Sequence, residues 1–245
     1  MTGATGRRRS KARGSTRTIE HVIGEYLKAA PARRRREVSA SLELLQNCLN
    51  GYAYQSLGSS DARLFDRLFN AKGSEHREYC GIFGPEKIVP ELGQFFGWFL
   101  IRKVMAQPRD LEAVIRDTRA FVEWLGEKGY ITRRAAAEGS ALVEQASGTV
   151  PRAEEAAHLL YQHLQGKAPG EPEGLIEGHF CITRIEPGKL WLESYEGGRA
   201  VLGPFPVPVA VTKRLAVGWE MSGAVGRVER KWVLEEVWNV YPGVE

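Results

Sequence analysis

Cysteine is scarce in this chain: 245 residues hold only Cys48, Cys80 and Cys181, at unrelated spacings. An odd, scattered trio argues against a disulfide framework and for a reducing compartment, so a cytoplasmic location is expected. Long apolar runs are lacking as well. The longest, residues 95–101, sits between Gln94 and Arg102 and is too short for a membrane-spanning helix, so no membrane partner is expected. The first 16 residues have neither the apolar stretch of a secretory signal nor a hydrophobic face, and are read as mature, disordered sequence.

Histidine is equally sparse, and its placement limits metal chemistry. A structural zinc site wants four Cys or His ligands in paired spacing. Only His76 and Cys80 lie close together, with Glu75 and Glu78 beside them, while Cys48, His21, His158, His163 and His179 fall elsewhere. His76 as a base for a Cys80 nucleophile is the one enzymatic or metal-binding alternative, and it lacks a third orienting group. Residues 81–87 read Gly-Ile-Phe-Gly-Pro-Glu-Lys, which matches neither a phosphate-binding loop nor a dinucleotide fingerprint. A nucleophile elbow is also missing. Neither catalysis nor a cofactor is expected.

Acidic residues are nearly absent from the amino end. Between residues 1 and 36 there are 11 Lys or Arg against Glu20 and Glu25, a local net of +9; the whole chain carries +4, which leaves −5 for the rest. A basic arm on a mildly acidic body is the electrostatic footprint of a chain that meets polyanions. Arg7, Arg8, Arg9, Lys11, Arg13 and Arg17 are interleaved with Gly, Ser and Thr, so the segment can follow a phosphate backbone without reading sequence. The plainer alternative is a solvated terminus. Arg33, Arg34, Arg35 and Arg36 fall at the start of a predicted helix, where cations oppose the macrodipole. Local stability does not explain them, whereas an anion docked on them would.

From residue 18 to residue 165 apolar residues recur every three or four positions. The spacing predicts helices over 19–29, from Pro31 through Tyr52, over 61–69 after Ser59 and Ser60, over 86–105 after Pro85, and from Pro108 to a stop at Gly129. Two more are predicted after Thr132 and after Pro151, ending near Gln165. Residues 70–85 read as the one sizeable loop. A Pro/Gly/charged stretch at 166–174 then marks a change of period. Beyond it, alternation at Phe180 and Ile182, at Leu190 and Leu192, and over 232–241 predicts short strands, with turns at Glu186-Pro-Gly188, Glu196-Gly-Gly198 and Ser222-Gly223. Pro204, Pro206 and Pro208, at every second position, fit an edge strand or an extended connector.

The expected fold class is therefore α+β in two domains, an all-helical N-terminal bundle followed by a small SH3/OB-like β-barrel. Its boundaries are a basic arm over 1–17, helices over 18–166, a linker over 167–174 and the barrel over 175–245. Four of the six tryptophans, Trp191, Trp219, Trp232 and Trp238, fall in the last part. On a barrel surface they could stack bases, while in a small domain they fill the core.

The segment Asp110-Leu-Glu-Ala-Val-Ile-Arg-Asp-Thr-Arg-Ala-Phe-Val-Glu-Trp-Leu-Gly-Glu-Lys-Gly-Tyr130 resembles part of the helical core-binding domain of tyrosine recombinases, in which a helix ends in a Phe–Trp-Leu–Lys-Gly pattern. The resemblance implies a helical body that contacts DNA. It implies no recombinase activity, because the C-terminal module is too small for that family's catalytic domain. The expected function is non-catalytic binding of DNA or RNA, with Arg7, Arg8, Arg9, Lys11, Arg13, Arg17, Arg33, Arg34, Arg35 and Arg36 on phosphates. The rival is a protein-interaction adaptor that docks a partner on the aromatic C-terminal module or on the hydrophobic helix 88–104.

Overall fold

The structure, a computed structural model, describes residues 17–104, 108–166, 172–195 and 200–244. Helix α1 (Ile19–Ala29) starts at Thr18, whose hydroxyl accepts from the His21 amide at 3.3 Å, and it buries Ile19, Val22 and Ile23. After a turn at Pro31, α2 (Arg35–Tyr52) buries Val38, Leu42, Leu45, Cys48 and Leu49 along one stripe. α3 spans Ser59–Phe69. The expected loop over 70–85 contains a 3₁₀ turn at Gly73–Glu75 and a single turn of helix, α4 (Tyr79–Ile82), which buries Tyr79 and Cys80.

The helix expected over 86–105 is broken into pieces. Two 3₁₀ turns, Pro85–Lys87 and Val89–Glu91, precede α5 (Leu92–Gln94), a π-helical turn (Phe95–Phe99) and α6 (Leu100–Lys103). Pro90 interrupts the ladder early, and the wide π turn lets Phe95, Phe96 and Phe99 all reach the core. α7 (Pro108–Glu127) has its expected stripe, with Leu111, Val114, Ile115, Phe121, Val122 and Leu125 buried. It stops at Gly129, whose φ of 70° suits glycine, while the Tyr130 amide returns to the Leu125 carbonyl at 2.9 Å.

The two helices expected after Thr132 and Pro151 are one, α8 (Arg133–Gln165), with Pro151 inside it. Thr132 caps it through the Ala135 amide at 3.1 Å. An interior proline costs roughly 3 kcal/mol in an isolated helix, so tertiary packing must hold this one. Two cores supply it. Val143, Ala146 and Val150 belong to the helical core, whereas Ala153, Ala156 and Leu160 belong to the core over the sheet, so Pro151 lies where α8 passes from one to the other.

The sheet has five antiparallel strands: β1 (Glu173–Glu186), β2 (Lys189–Ser194), β3 (Val201–Pro206), β4 (Glu220–Val228) and β5 (Lys231–Tyr241), in the order β3-β2-β1-β4-β5. A one-turn helix, α9 (Val209–Thr212), joins β3 to β4. This corrects the expected SH3/OB-like barrel, because the sheet is not closed. The edge strands approach through Phe205 and Trp232, ring centroids 5.7 Å apart, yet they exchange no ladder. Pro204 and Pro206 on β3 have no N–H to offer a further strand, which is the edge role their spacing predicts.

Ser222-Gly223 is not a turn either; it lies within β4, where the register with β5 shifts. A Cβ on Gly223 would come within 2.1 Å of the Glu236 carbonyl oxygen, so the glycine marks close strand approach at a bulge. β1 starts at Glu173, two residues inside the expected linker. Helices in the first 165 residues followed by this sheet fit a two-domain layout, with α8 common to both cores.

Candidate functional site

Of the ten cations expected to meet phosphate, Arg7, Arg8, Arg9, Lys11 and Arg13 lie outside the described residues. The structure separates the other five. Arg17 donates to Glu25 at 2.7 Å and to the Tyr130 hydroxyl, with its guanidinium 5.2 Å from the Tyr130 ring centroid. Tyr130 in turn donates to Glu25 at 2.9 Å. This residue fastens the start of α1 to the end of α7.

Arg34 reaches a carboxylate of the protein itself. Asp117 on α7 is 1% exposed and accepts from Arg34, from the Ser41 hydroxyl at 3.0 Å and from Arg116 Nε at 3.2 Å. Glu37 accepts from both Arg34 and Arg116, and its hydrogen bond to Arg116 is the first cause holding its carboxyl below the usual range. A buried carboxylate needs such partners, because leaving it uncompensated would cost several kcal/mol. Arg35 caps the end of α1 by donating to the carbonyls of Ala30 at 3.1 Å and Lys28 at 3.4 Å. Part of the anion that the run calls for is thus internal.

Arg33 and Arg36 differ from Arg34: both are exposed, and among the described residues neither forms an ion pair. The α1–α2 turn adds Lys28, also exposed, whose carbonyl is the one held by Arg35. Lys28 went unnoticed in the sequence because only the turn brings it beside the arginine run. Lys28, Arg33 and Arg36 are thus exposed cations at the end of α1 and the start of α2, with no ion pair among the described residues.

The enzymatic alternative can be judged from the side chains it names. Glu20, Gln46, Asn50, His76, Arg77, Glu78, Cys80 and Gly81 do line one cavity, of about 380 Å³. The chemistry inside it is wrong for a nucleophile. Burial pushes the Cys80 thiol far up, and Glu78 and Glu20 push it further. Its Sγ lies 3.9 Å from the Gln46 carbonyl, and its amide donates to Asn50 at 2.9 Å. His76 turns away, with Nδ1 2.6 Å from the Phe69 carbonyl and its ring 5.3 Å from the Phe69 ring. A reactive thiolate needs a cationic neighbour that lowers its pKa, whereas the charges that shift Cys80, those of Glu78 and Glu20, raise it. Among the described residues no group of three His, Cys, Asp or Glu could hold a metal ion.

The surfaces named for base stacking or adaptor docking are also largely occupied. Trp219 is buried in the sheet core. The guanidinium of Arg227 lies 4.3 Å from the Trp232 centroid and that of Arg184 4.5 Å from the Trp191 centroid, so each of these rings has one face covered. Trp238 is exposed. In the hydrophobic helix 88–104, Ile88, Val89, Leu92, Phe95, Phe96, Phe99, Leu100 and Ile101 are buried in the helical core, while Trp98 and Val104 are half-buried against it.

Compared with protein-family models, with curated proteins and with solved structures, the chain matches none.

Proposed function

We propose that this protein binds nucleic acid without catalysis, its basic amino-terminal segment and the exposed Lys28, Arg33 and Arg36 neutralising backbone phosphates. The observation that carries the reading is the charge split: +9 over the first 36 residues against −5 over the remainder. The unpaired state of Arg33 and Arg36 supports it, since the neighbouring Arg34 and Arg35 have structural partners and these two do not. The likeness of residues 110–130 to the recombinase core-binding helix points the same way. Arg17, Arg34 and Arg35 also make contacts within the fold, so Arg33 and Arg36 are the members of the run freest to meet phosphate.

Phosphate contacts leave a measurable signature in salt. Each neutralised phosphate of duplex DNA releases counterions, and deleting residues 1–16, with five cations, should flatten the slope of log K against log salt by about 4.5. Filter binding of the full chain and of the truncated chain, across a salt series and on several unrelated sequences, tests this. Equal affinity for all sequences is expected, since phosphate contacts position without specifying. No measurable affinity at low salt, or a slope unchanged by the deletion, would overturn the reading.

A further inference from the structure

A second cleft lies between the sheet and the helical layer. Strand alternation builds one wall: the registers His179↔Ser222↔Asn239 and Cys181↔Glu220↔Tyr241 place these residues on the face opposite the buried Phe180, Met221 and Val240. The π-helical turn builds the other. It presents Trp98, while Gly93 and Gly97 let the chain after β5 lie against it: a Cβ on Gly93 would sit 2.7 Å from the Val244 carbonyl oxygen, and one on Gly97 3.1 Å from that of Pro242. A cavity of about 220 Å³ results, lined by the rings of Trp98, His179 and Tyr241, by Glu220, and by Gly218, Pro242 and Gly243.

The lining includes groups that favour positive charge. Aromatic faces, backbone carbonyls and a carboxylate are all electronegative, and no Lys or Arg belongs to it. The rings are held in place: Tyr52 meets Trp98 edge-on at 4.9 Å, His179 stacks on Tyr241 at 5.6 Å, and the Tyr241 hydroxyl lies 3.5 Å from Ser222 Oγ. Lys103 approaches the same ring, its Nζ 5.9 Å from the Trp98 centroid. Glu220, half-buried, accepts from the neutral Tyr195 hydroxyl at 2.7 Å and, among the described residues, has no salt bridge. The Tyr195 hydroxyl is pushed far up, first by that hydrogen bond and then by burial; the Cys181 thiol is pushed up by burial and then by Glu220 and Glu193. The Glu220 charge is among the causes of both shifts. A single carboxylate without thiolate or histidine partners in metal-ligating geometry suits an organic cation better than a metal ion.

We infer that the cleft between the π-helical turn and the sheet binds an alkylammonium head group, caged by Trp98, His179 and Tyr241 and neutralised by Glu220. The volume suits a trimethylammonium-sized group. Such a head could belong to a small metabolite or to a methylated lysine side chain, and the chemistry recognised is the same.

Titration of the full-length protein with choline, with a trimethyllysine peptide and with 3,3-dimethylbutanol, the neutral isostere of choline, separates these cases. The indole N–H of Trp98 in a two-dimensional NMR spectrum, assigned by Trp98→Phe, is the readout. Saturable shifts with choline are expected, with the neutral isostere and the Glu220→Gln variant each weaker by about tenfold or more. Tighter binding of choline identifies a small metabolite, and tighter binding of the peptide a modified side chain. Equal binding of choline and its neutral isostere, no shift with either cation, or undiminished affinity in a folded Glu220→Gln protein would overturn the inference.

Discussion

Asp117 decides what the arginine run means. Read as letters, Arg33 to Arg36 are four equivalent cations, and nothing in their spacing says which one faces inward. The partner is 83 residues away on α7, so its identity emerges only when two helices pack. Replacing Asp117 with alanine removes its bonds to Arg34, Arg116 and Ser41 and strands a buried hydroxyl. Arg34 is 38% exposed and can resolvate, which limits the loss to about 2–3 kcal/mol. Arg33→Ala and Arg36→Ala should stay within about 0.5 kcal/mol of the parent, as exposed unpaired side chains do. Urea midpoints of the three variants check both statements together, and a penalty for Arg36→Ala as large as that for Asp117→Ala would refute the division.

The buried thiols carry a second expectation at the same scale. Burial, aided by the Glu91 charge, pushes Cys48 up to about 12. In the unfolded chain a thiol ionises near 8.5, so between these values the native state holds more protons. Stability must then fall as pH rises through that window, by at most about 1.4 kcal/mol per pH unit for each such thiol. The urea midpoint should drop between pH 8 and pH 10, and by less in Cys48→Ala. Alkylation at pH 8 should reach only the half-buried Cys181, leaving Cys48 and Cys80 unmodified until the protein unfolds.

Among the elements, those with strong local signals were legible and those governed by distant contacts were not. α1 and α7 follow their apolar stripes, caps and stops closely, since Thr18, Pro108 and Gly129 act on the helix they bound. Pro151 and Ser222-Gly223 misled because each is a local breaker overruled by packing, the first by two cores and the second by the neighbouring β5 backbone. Closure of the sheet was invisible for a related reason: alternation reports which face is buried, but whether the two edges pair is settled by strands far apart in sequence. The cleft beside Trp98 belongs to this class too, as its walls come from β1, β4, β5 and the π turn. Gly93 offers a direct test of such long-range control. With the tail in place, Gly93→Ala must push back the Val244 carbonyl and should cost about 1–3 kcal/mol. Without residues 242–245 the clash is gone, and the same substitution should become neutral or stabilising by up to about 1 kcal/mol from helix propensity. Thermal unfolding of the four combinations measures the coupling, and equal costs with and without the tail would refute it.

For the whole molecule, the two cores are joined more tightly than a flexible linker would allow. α8 contributes Val143, Ala146 and Val150 to one and Ala153, Ala156 and Leu160 to the other, while Tyr241 and Val244, from the end of β5 and the chain beyond it, pack into the helical core. The chain therefore crosses between layers twice, once by a continuous helix and once by the last strand. Melting the sheet would bare one half of α8 and pull two buried side chains from the helical core, so neither layer can unfold at no cost to the other. A single transition is expected, with circular dichroism of the helices and fluorescence of Trp219 in the sheet core losing signal at the same denaturant concentration. Leu160→Ala, a deletion in the sheet core, should lower both midpoints together, by about 2–5 kcal/mol in stability. Two separated transitions, with only the fluorescence shifted by Leu160→Ala, would mean that α8 can break at Pro151 and that the layers fold as independent units.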